Sequence, residues 1–549
     1  MFFETYLCDF YVVWAILPSI LMIFFIIKIL HWVLTDTSIA VPNSSKHSWK
    51  NIGWLEKPCY CSICESLMMN AAGLFCDCCG VCVDQPCVKK ADRKLSCKKI
   101  KIDNEVLSHH WVKGNLSNGA QCVICQEECN FEFGLSDYQC CWCQRTVHSR
   151  CKSSVQNDCD LGMWRQFIIP PWSVRVSGRH KSMRRHQHVQ SVSHPGWNDW
   201  TPLIIIGNRK SGNGDCDRIL SLFRHILNPC QVIDLDEKPP IVALQWVPIL
   251  NKALHQGDVV SSERESNLED KNCKIKISCR LLVAGGDGTV AWILNIIHNM
   301  GLEPPPAVGI LPLGTGNDLS RVFGWGKATT ANLDTSIILN QLINSVPTYL
   351  DRWSVQIRSF RHLGIRLPTK ALFMYNYFSV GVDAQVTLDF HRTRESCLYL
   401  FSSRLFNKLL YLLFGTHQAL AANCQNIQDR LELFMDGKLV ELPSIESIVV
   451  LNIPSWGAGV PLWSMGANGD VPKQSVNDGM LEVVAIYSSF HIAQLQVGLS
   501  QPHRLGQAKV VEIKIKGTSP VQCDGEPWEQ HPAHITITHN DQALMLRKE

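Results

Sequence analysis

The chain has 549 residues, a formal net charge of +3 and 25 cysteines. That length allows several domains with sizeable cores, and the near-neutral charge argues against a nucleic-acid-binding protein with a basic surface. Most of the cysteines lie between Cys59 and Cys159, and this local clustering favours zinc sites over disulfides.

The first predicted element is an apolar segment at residues 10–34. Its uncharged part, Phe10 to Ile27, is long enough to span a bilayer. Acidic residues precede it where a cleaved signal peptide would carry basic ones. The lysines after it predict, by the positive-inside rule, that the rest of the chain lies in the cytosol. We expect a membrane anchor, in the endoplasmic reticulum or plasma membrane, that spans the bilayer or turns back at Pro18. The alternative is a buried helix of a globular domain.

Two small α+β modules rich in cysteine and histidine follow, at residues 47–98 and 109–160. In the second, the candidate metal ligands are His109, Cys122, Cys125, Cys140, Cys143, His148, Cys151 and Cys159. Thiolates and imidazoles in closed sets of four are what tetrahedral structural zinc requires. The spacing resembles the phorbol-ester/diacylglycerol type of zinc domain, which implies two interleaved zinc ions. The resemblance assigns one ion to His109, Cys140, Cys143 and Cys159, and the other to Cys122, Cys125, His148 and Cys151. His110 is an alternative to His109.

The first module has a similar order of ligands with one exception. Its candidates are His47, Cys61, Cys64, Cys76, Cys79, Asp84, Cys87 and Cys97. Asp84 stands where the resemblance implies a histidine; aspartate can bind zinc, and Cys82 is the alternative ligand. We therefore predict an atypical module. A structural or autoregulatory role and direct diacylglycerol binding both stay open for these modules.

Residues 161–199 separate the modules from the rest of the chain. The stretch from Arg175 to Asn198 is basic, rich in serine and histidine, and without periodicity. This composition predicts a flexible linker. Contact with anionic lipid headgroups is the alternative.

Three units of strand, glycine-rich loop and helix define a predicted domain at residues 200–352. The loops read GNRKSGNG (207–214), GGDGT (285–289) and GTGND (314–318). Strands that alternate with helices predict a parallel sheet, whose strand ends bring the loops to one edge. Glycines let backbone N–H groups approach a phosphate, and the helix dipole adds positive charge there. We predict an α/β nucleotide-binding domain, but not a P-loop, because no Gly-Lys-Ser/Thr follows the glycines.

The pattern changes to short alternating strands over residues 353–549. The segment LELFMDGKLVEL (431–442) has strand residues on both sides of an Asp-Gly turn, which indicates a hairpin. We predict a mainly antiparallel β domain. The apolar helical pattern from Arg404 to Gly415 is either core or part of a lipid acyl channel.

Several blocks of this region resemble the catalytic region of the diacylglycerol kinase family. They are GGDGT (285–289), LPLGTGNDLSR (311–321), NYFSVGVDA (376–384), FSSRLFNKLLY (401–411), NDGMLEV (477–483) and VQCDGEPW (521–528). The resemblance implies that the β domain packs on the α/β domain around a substrate cleft. It implies phosphorylation of membrane diacylglycerol to phosphatidate with ATP and Mg²⁺, which ends diacylglycerol signalling and feeds phosphatidylinositol resynthesis. The implied partner is a phospholipid bilayer and not nucleic acid; protein partners are not indicated.

The resemblance and the chemistry of phosphoryl transfer together suggest the site residues. The phosphate cradle comprises Asn208, Ser211, Gly212, Gly285, Gly286, Gly288, Thr289, Gly314, Thr315, Gly316 and Asn317. Asp287 is expected to touch the nucleotide-bound magnesium or the acceptor hydroxyl. Glu526 resembles the family's general base, and whether Glu526 or Asp287 takes the hydroxyl proton stays open. Asp478 matches an acid that helps to hold a structural magnesium in bacterial relatives.

Two other functions remain alternatives. A sphingosine or ceramide kinase would share the GGDG loop, but the paired zinc modules and the LPLGTGNDL block argue against it. A catalytically inactive diacylglycerol-sensing scaffold is the alternative that is not an enzyme. The presence of Asp287, Asp318 and Glu526 argues against it.

Overall fold

The computed structural model of the chain describes residues 22, 39–41, 46–51, 59–68, 73–104, 106–129, 134–178, 187–211, 214–262, 278–329, 333–360, 368–396, 424, 426–466 and 471–549. The predicted membrane segment, apart from Met22, lies outside these ranges, as do Arg404 to Gly415 and Gly212. Among the helices that are described, none combines the length and the apolar character that crossing a bilayer requires.

Each zinc module is built on a three-stranded antiparallel sheet. In the first, the strands are Trp49–Asn51, Gly73–Cys76 and Cys82–Asp84, accompanied by the pair Cys59–Tyr60 and Leu67–Met68 and the helix Val88–Lys94. In the second, they are Trp111–Lys113, Tyr138–Cys140 and Thr146–Val147. Such short strands bury few apolar side chains, and cysteines such as Cys76 and Cys140 occupy the centres instead. Modules of this size depend on bound metal for their stability.

The segment predicted as a flexible linker is packed in its described parts. A 3₁₀ helix spans Gly162–Phe167, and the strands Val174–Gly178 and Gln187–Val192 pair antiparallel, with Ala40–Val41 added to the second. Phe167 is fully buried. The basic stretch between the two strands conceals their pairing in the sequence, whereas in the structure they form a small three-stranded sheet with Ala40–Val41.

A parallel sheet forms the next domain, as predicted. Its strands are β1 (Leu203–Gly207), β2 (Val232–Asp234), β3 (Arg280–Gly285) and β4 (Ala307–Pro312), in the order β2-β1-β3-β4. The helices are α1 (Asp215–Ile226), α2 (Pro240–Leu244), α3 (Trp246–Ser262), α4 (Asp287–Asn299), α5 (Asp318–Val322) and α6 (Thr335–Ile343). Nearly every residue of β1, β3 and β4 is buried, which is typical of parallel strands covered on both faces.

The C-terminal half is mainly antiparallel, also as predicted. Its strands are β5 (Val346–Ser359), β6 (Lys370–Met374), β7 (Tyr377–Gly381), β8 (Leu431–Met435), β9 (Lys438–Val440), β10 (Ser447–Leu451), β11 (Leu481–Ile486), β12 (His503–Ala508), β13 (Val510–Ile515), β14 (Ser519–Cys523), β15 (Glu526–Gln530) and β16 (Ala533–Arg547). Two helices are described, α7 (Val382–Ser396) and α8 (Ser489–Gln496). Strands β12-β11-β10-β7-β14-β15 form a six-stranded sheet whose apolar face packs on β5, β8, β13 and β16.

The long strand β16 joins the two halves. It pairs antiparallel with β5 along its whole length and with β13 over part of it, and Met545 pairs parallel with Val308 of β4. One ten-stranded sheet therefore runs through the predicted domains 200–352 and 353–549. Strand β16 pairs with β4, which leads into one of the glycine loops, and it also packs against the six-stranded sheet. It therefore links the glycine loops to that sheet.

Candidate active site and zinc centres

The three glycine-rich loops converge, as the parallel sheet predicts. Thr289, in the first turn of α4, accepts a hydrogen bond from Asn208 Nδ2 at 2.9 Å, and its hydroxyl lies 3.2 Å from that of Ser211. A Cβ on Gly285 would lie 2.7 Å from Cβ of Thr289, so only glycine permits this closeness. The loops after β1 and β3 therefore form one polar surface at the N-terminus of α4.

The loops after β3 and β4 touch backbone to backbone. A Cβ on Gly314 would lie 2.7 Å from Cα of Gly286 and 2.8 Å from Oδ1 of Asn317. Asn317 is buried in a left-handed conformation and donates from Nδ2 to the Gly314 carbonyl at 2.7 Å. Thr315 and Gly316 lie half-buried in the same loop. The glycines thus make a compact cradle of the kind in which backbone N–H groups can bind a phosphate.

Asp287 is the first residue of α4 and links two of the loops. Its carboxylate accepts the backbone N–H groups of Asp318 at 2.9 Å and of Leu319 at 3.1 Å. Desolvation, helped by the neighbouring carboxylate of Asp318, raises the pKa of Asp287 to about 7. A bound cation would reverse this shift, because it favours the charged form.

Glu526 approaches this cradle from the other half of the molecule. It begins β15, directly after the two-residue turn Asp524–Gly525. The exposed Oε1 of Glu526 lies 3.9 Å from the position that a Cβ on Gly288 would occupy. The two predicted catalytic acids, Asp287 and Glu526, are therefore brought to the same cleft.

Asp524 has a structural role in that turn. Its carboxylate accepts the backbone N–H groups of Tyr375 (2.8 Å), Asn376 (2.8 Å) and Tyr377 (3.1 Å). Burial raises the pKa of Asp524 to about 6 in spite of these three donors, which act in the opposite direction.

Asp478 lies in an exposed loop before β11. Its Oδ1 accepts the backbone N–H of Met480 at 3.0 Å, and the neighbouring Gly479 donates to the buried carboxylate of Asp351 at 2.7 Å. Burial, and the charge of Asp351, raise the pKa of Asp478. Its role as a magnesium ligand stays a prediction.

The structure brings the predicted zinc ligands together in four sets. The sets are His47, Cys76, Cys79 and Cys97; Cys61, Cys64, Asp84 and Cys87; His109, Cys140, Cys143 and Cys159; and Cys122, Cys125, His148 and Cys151. Within each set the candidate ligand atoms all lie within 4.8 Å of one another. The set that contains Asp84 offers three thiols and a carboxylate, and each of the other three sets offers three thiols and an imidazole. All four combinations suit tetrahedral zinc.

The alternatives to two of these ligands are placed elsewhere. Cys82 donates from Sγ to the Gly80 carbonyl at 3.5 Å, while Asp84 joins Cys61, Cys64 and Cys87. His109, not His110, lies with the cysteines of its set.

Three family models match this chain. The family described as "Diacylglycerol kinase catalytic domain" matches residues 202–348, "Diacylglycerol kinase accessory domain" matches 373–527, and "Phorbol esters/diacylglycerol binding domain (C1 domain)" matches 109–162. "Diacylglycerol kinase 2" of Arabidopsis thaliana is 31% identical over 92% of this chain and 84% of its own length. The chain belongs to the diacylglycerol kinase family.

The chain is also similar to two further proteins. "Probable diacylglycerol kinase 3" of Caenorhabditis elegans is 33% identical over 94% of this chain, which spans 66% of that relative's length. A solved structure of a putative diacylglycerol kinase from Bacillus anthracis is 18% identical, with a TM-score of 0.33 over 61% of this chain and 91% of its own.

Sequence reasoning missed one element of the site. After β10, Ser455 donates its hydroxyl to the carboxylate of Asp318, and Ala458 donates its backbone N–H to the same carboxylate at 3.2 Å. A Cβ on Gly459 would lie 2.8 Å from the guanidinium of Arg321, which itself donates to the Gly316 carbonyl. The signal was present as a buried strand followed by two glycines (SWGAG, 455–459), the same pattern that revealed the other loops.

Proposed function

We propose that this protein transfers the γ-phosphate of ATP to the free hydroxyl of 1,2-diacylglycerol and forms phosphatidate. The approach of Glu526 to Gly288 carries this assignment. It places a solvent-exposed carboxylate opposite the N-terminus of α4, where backbone donors and the helix dipole suit a phosphate. An acceptor hydroxyl between them would have a proton acceptor on one side and the phosphate on the other.

The transfer itself follows from these positions. The hydroxyl oxygen forms a bond to the γ-phosphorus, the bond from that phosphorus to the bridging oxygen breaks, and ADP leaves with the electron pair. The hydroxyl proton passes to a carboxylate of the enzyme. Negative charge on the transferred group is stabilised by backbone N–H groups of the glycine loops.

The residues present fit magnesium as well as nucleotide. Mg²⁺ prefers carboxylate and carbonyl oxygens, and Asp287 offers its carboxylate at the edge of the cradle. The buried Oδ1 of Asn317 has no hydrogen-bond partner among the described residues, which leaves a further oxygen beside the same loop. Asp287 would hold the ion, which would neutralise charge on the phosphate oxygens.

Of the two candidate bases, Glu526 fits the role better. Each oxygen of Asp287 already accepts a backbone N–H group, which favours the charged form that a cation binds over the protonated form that a base must reach. Glu526 is exposed at the cleft. We expect Glu526→Gln to lower kcat and to leave the KM for ATP within about twofold. Asp287→Asn is expected to lower kcat and also to raise the KM for MgATP. If instead Asp287→Asn lowered kcat alone and Glu526→Gln also raised the KM for MgATP, Asp287 would be the base.

The experiment that tests the activity is phosphorylation of a lipid panel in detergent micelles. Diacylglycerols, ceramide and sphingosine are offered with ATP and Mg²⁺ to the wild type and to Asp287→Ala. We expect phosphatidate from the wild type and none from the variant. Phosphorylation of ceramide or sphingosine alone would favour the other lipid kinases. No product from a folded, zinc-loaded protein would favour the inactive scaffold.

We further propose an epsilon-type diacylglycerol kinase, anchored in the endoplasmic reticulum or plasma membrane with its catalytic region in the cytosol. The supporting features are the apolar stretch at residues 10–34, the two zinc modules and the lack of other predicted modules between them and the kinase region. This proposal includes a preference for arachidonoyl diacylglycerol and a place in phosphatidylinositol recycling. Equal rates with saturated and arachidonoyl substrates would contradict it.

For the zinc modules we propose a mainly structural role. Lys98 is buried, and its Nζ donates to the carbonyls of His225 (2.9 Å) and Ile226 (3.2 Å) at the end of α1. These contacts tie the first module to the kinase fold. Saturable binding of a phorbol ester by the full-length protein would instead favour a lipid-binding module.

A further inference from the structure

The turn that presents Glu526 is unusually constrained. Asp524 and Gly525 both have positive φ angles, +50° and +86°, as a two-residue hairpin between paired Cys523 and Glu526 requires. Any change in this turn would rotate Glu526 relative to Gly288. The turn is fixed on one side by the three backbone N–H groups that Asp524 accepts.

A second set of hydrogen bonds fixes the other side of the turn. Oε1 of Gln522 accepts the backbone N–H of Gly525 at 2.8 Å. Nε2 of the same side chain donates to Ser379 Oγ at 3.0 Å and to Asp383 Oδ2 at 3.3 Å. Ser379 Oγ in turn donates to Asp383 Oδ2 at 2.5 Å. The amide of Gln522 is thereby held in a single orientation.

The side chains of Ser379, Gln522 and Asp383 are all buried. Ser379 is 0% exposed, Gln522 1% and Asp383 2%. Ser379 on β7 pairs directly with Gln522 on β14, and Asp383 lies in the first turn of α7. Burial raises the pKa of Asp383. Polar groups so deeply buried are expensive to leave without partners, so the network resists rearrangement.

We infer that Gln522 is a positioning residue for the transfer reaction, held by Ser379 and Asp383 and acting through the turn Asp524–Gly525 on Glu526. This rests on the proposed function, in which Glu526 takes the proton of the acceptor hydroxyl. None of the three touches the nucleotide loops in the described structure, so their effect belongs to the acceptor side of the reaction. The NYFSVGVDA and VQCDGEPW blocks thus contribute to one hydrogen-bond network.

A double-mutant cycle tests the inference. Gln522→Met keeps the size of the side chain and removes all three of its hydrogen bonds. We expect kcat to fall by about 10- to 100-fold, the loss typical of a small misplacement of a reacting group, with the KM for ATP within about twofold. In the Glu526→Gln background the same change is expected to lower kcat little further, because the group it positions is already gone.

The matched control is Gln530→Met, at the far end of the same hairpin. Gln530 is 8% exposed and also bonds through both ends of its amide, to Trp528 Nε1 and the His531 carbonyl. We expect its kcat to stay within about twofold of the wild type. If Gln522→Met does not fold, Ser379→Ala removes a single hydroxyl from the network and is expected to lower kcat in the same direction.

The possible outcomes separate this inference from the proposed function. If Glu526→Gln lowers kcat while the network variants do not, or if the two losses multiply, Gln522 does not act through Glu526. If Glu526→Gln leaves kcat unchanged, the assignment of the base fails first, and the positioning role fails with it.

Discussion

The carboxylate of Asp77, in the first zinc module, lies 3.0 Å from Nη1 of Arg224, in helix α1 of the kinase fold. Ser221 donates to the same carboxylate oxygen at 3.2 Å. The side chain of Asp77 is fully buried and that of Arg224 is 11% exposed. Because Asp77 directly follows the zinc-ligand candidate Cys76, this pair connects the metal site to the nucleotide-binding half.

Arg224→Met is expected to destabilise the protein by about 3–5 kcal/mol, because it leaves the Asp77 charge buried without its partner. A fall in the midpoint of thermal unfolding, measured by calorimetry on the full chain, checks this. The control is Arg392→Met, which removes an equally short pair with Glu529 (3.0 Å) whose side chains are more than half exposed. We expect less than about 1 kcal/mol there. Equal losses from both variants would contradict a buried anchor between module and kinase.

Gly288→Ala is expected to separate stability from activity. Gly288 lies in the first turn of α4 with a φ that alanine can adopt, so alanine should stabilise the helix by up to about 1 kcal/mol. The added methyl group would project toward Glu526, into the space where the hydroxyl and the phosphate must meet. We expect kcat to fall at least tenfold while the unfolding temperature holds or rises. A fully active variant would show that Gly288 does not lie at the transfer site.

Glu482 provides a test by pH. Burial raises its pKa to about 8, although Gln474 and Gln507 donate to its oxygens at 2.6 and 2.9 Å. The folded protein keeps a proton that the unfolded chain releases above pH ~4.3. The free energy of unfolding therefore falls as pH rises toward 8, by about 1.4 kcal/mol per pH unit from this group.

Glu482→Gln has no such proton to lose. Its unfolding temperature relative to the wild type is therefore expected to rise steadily between pH 5 and pH 8, and to level off above that. Calorimetry of both proteins across this range measures the difference. A difference that stays constant with pH would show that Glu482 is ionised in the fold.

Zinc content tests the atypical module. Four ligand sets predict four zinc ions per chain, and Asp84→Ala removes one ligand of the second set in the first module. Native mass spectrometry is expected to find three ions in this variant. Cys82→Ser should keep all four, because Cys82 lies outside that set of ligands. Loss of zinc from Cys82→Ser alone would make Cys82 the ligand.

The parts of this molecule that local sequence determines were predicted. Each glycine loop follows a buried strand and precedes a helix, so Gly285 and Gly314 could be placed at one edge before the strand order was known. The resemblance to a known type of zinc domain likewise implied the two zinc sets of the second module, and it named the eight candidate ligands of the first module, with Cys82 open as the alternative to Asp84. Both predictions rest on residues that lie close together in the chain.

The parts that depend on distant pairing were not predicted. Nothing near Gln522 in the chain indicates Ser379 or Asp383 as its partners, because strand register comes from the packing of whole sheets. The hairpin of Val174–Gly178 and Gln187–Val192 was mistaken for a linker for a related reason. Its alternation is weak, and burial against its neighbours decides its conformation.

The shared strand β16 also has a consequence during synthesis of the protein. Until Ala533–Arg547 has left the ribosome, β4 presents an unpaired edge and β5 lacks its longest neighbour. Bare edges of apolar strands are templates for aggregation, and pairing over such sequence distance is slow. The growing chain is therefore expected to keep these edges exposed until Ala533–Arg547 is available to pair with both halves.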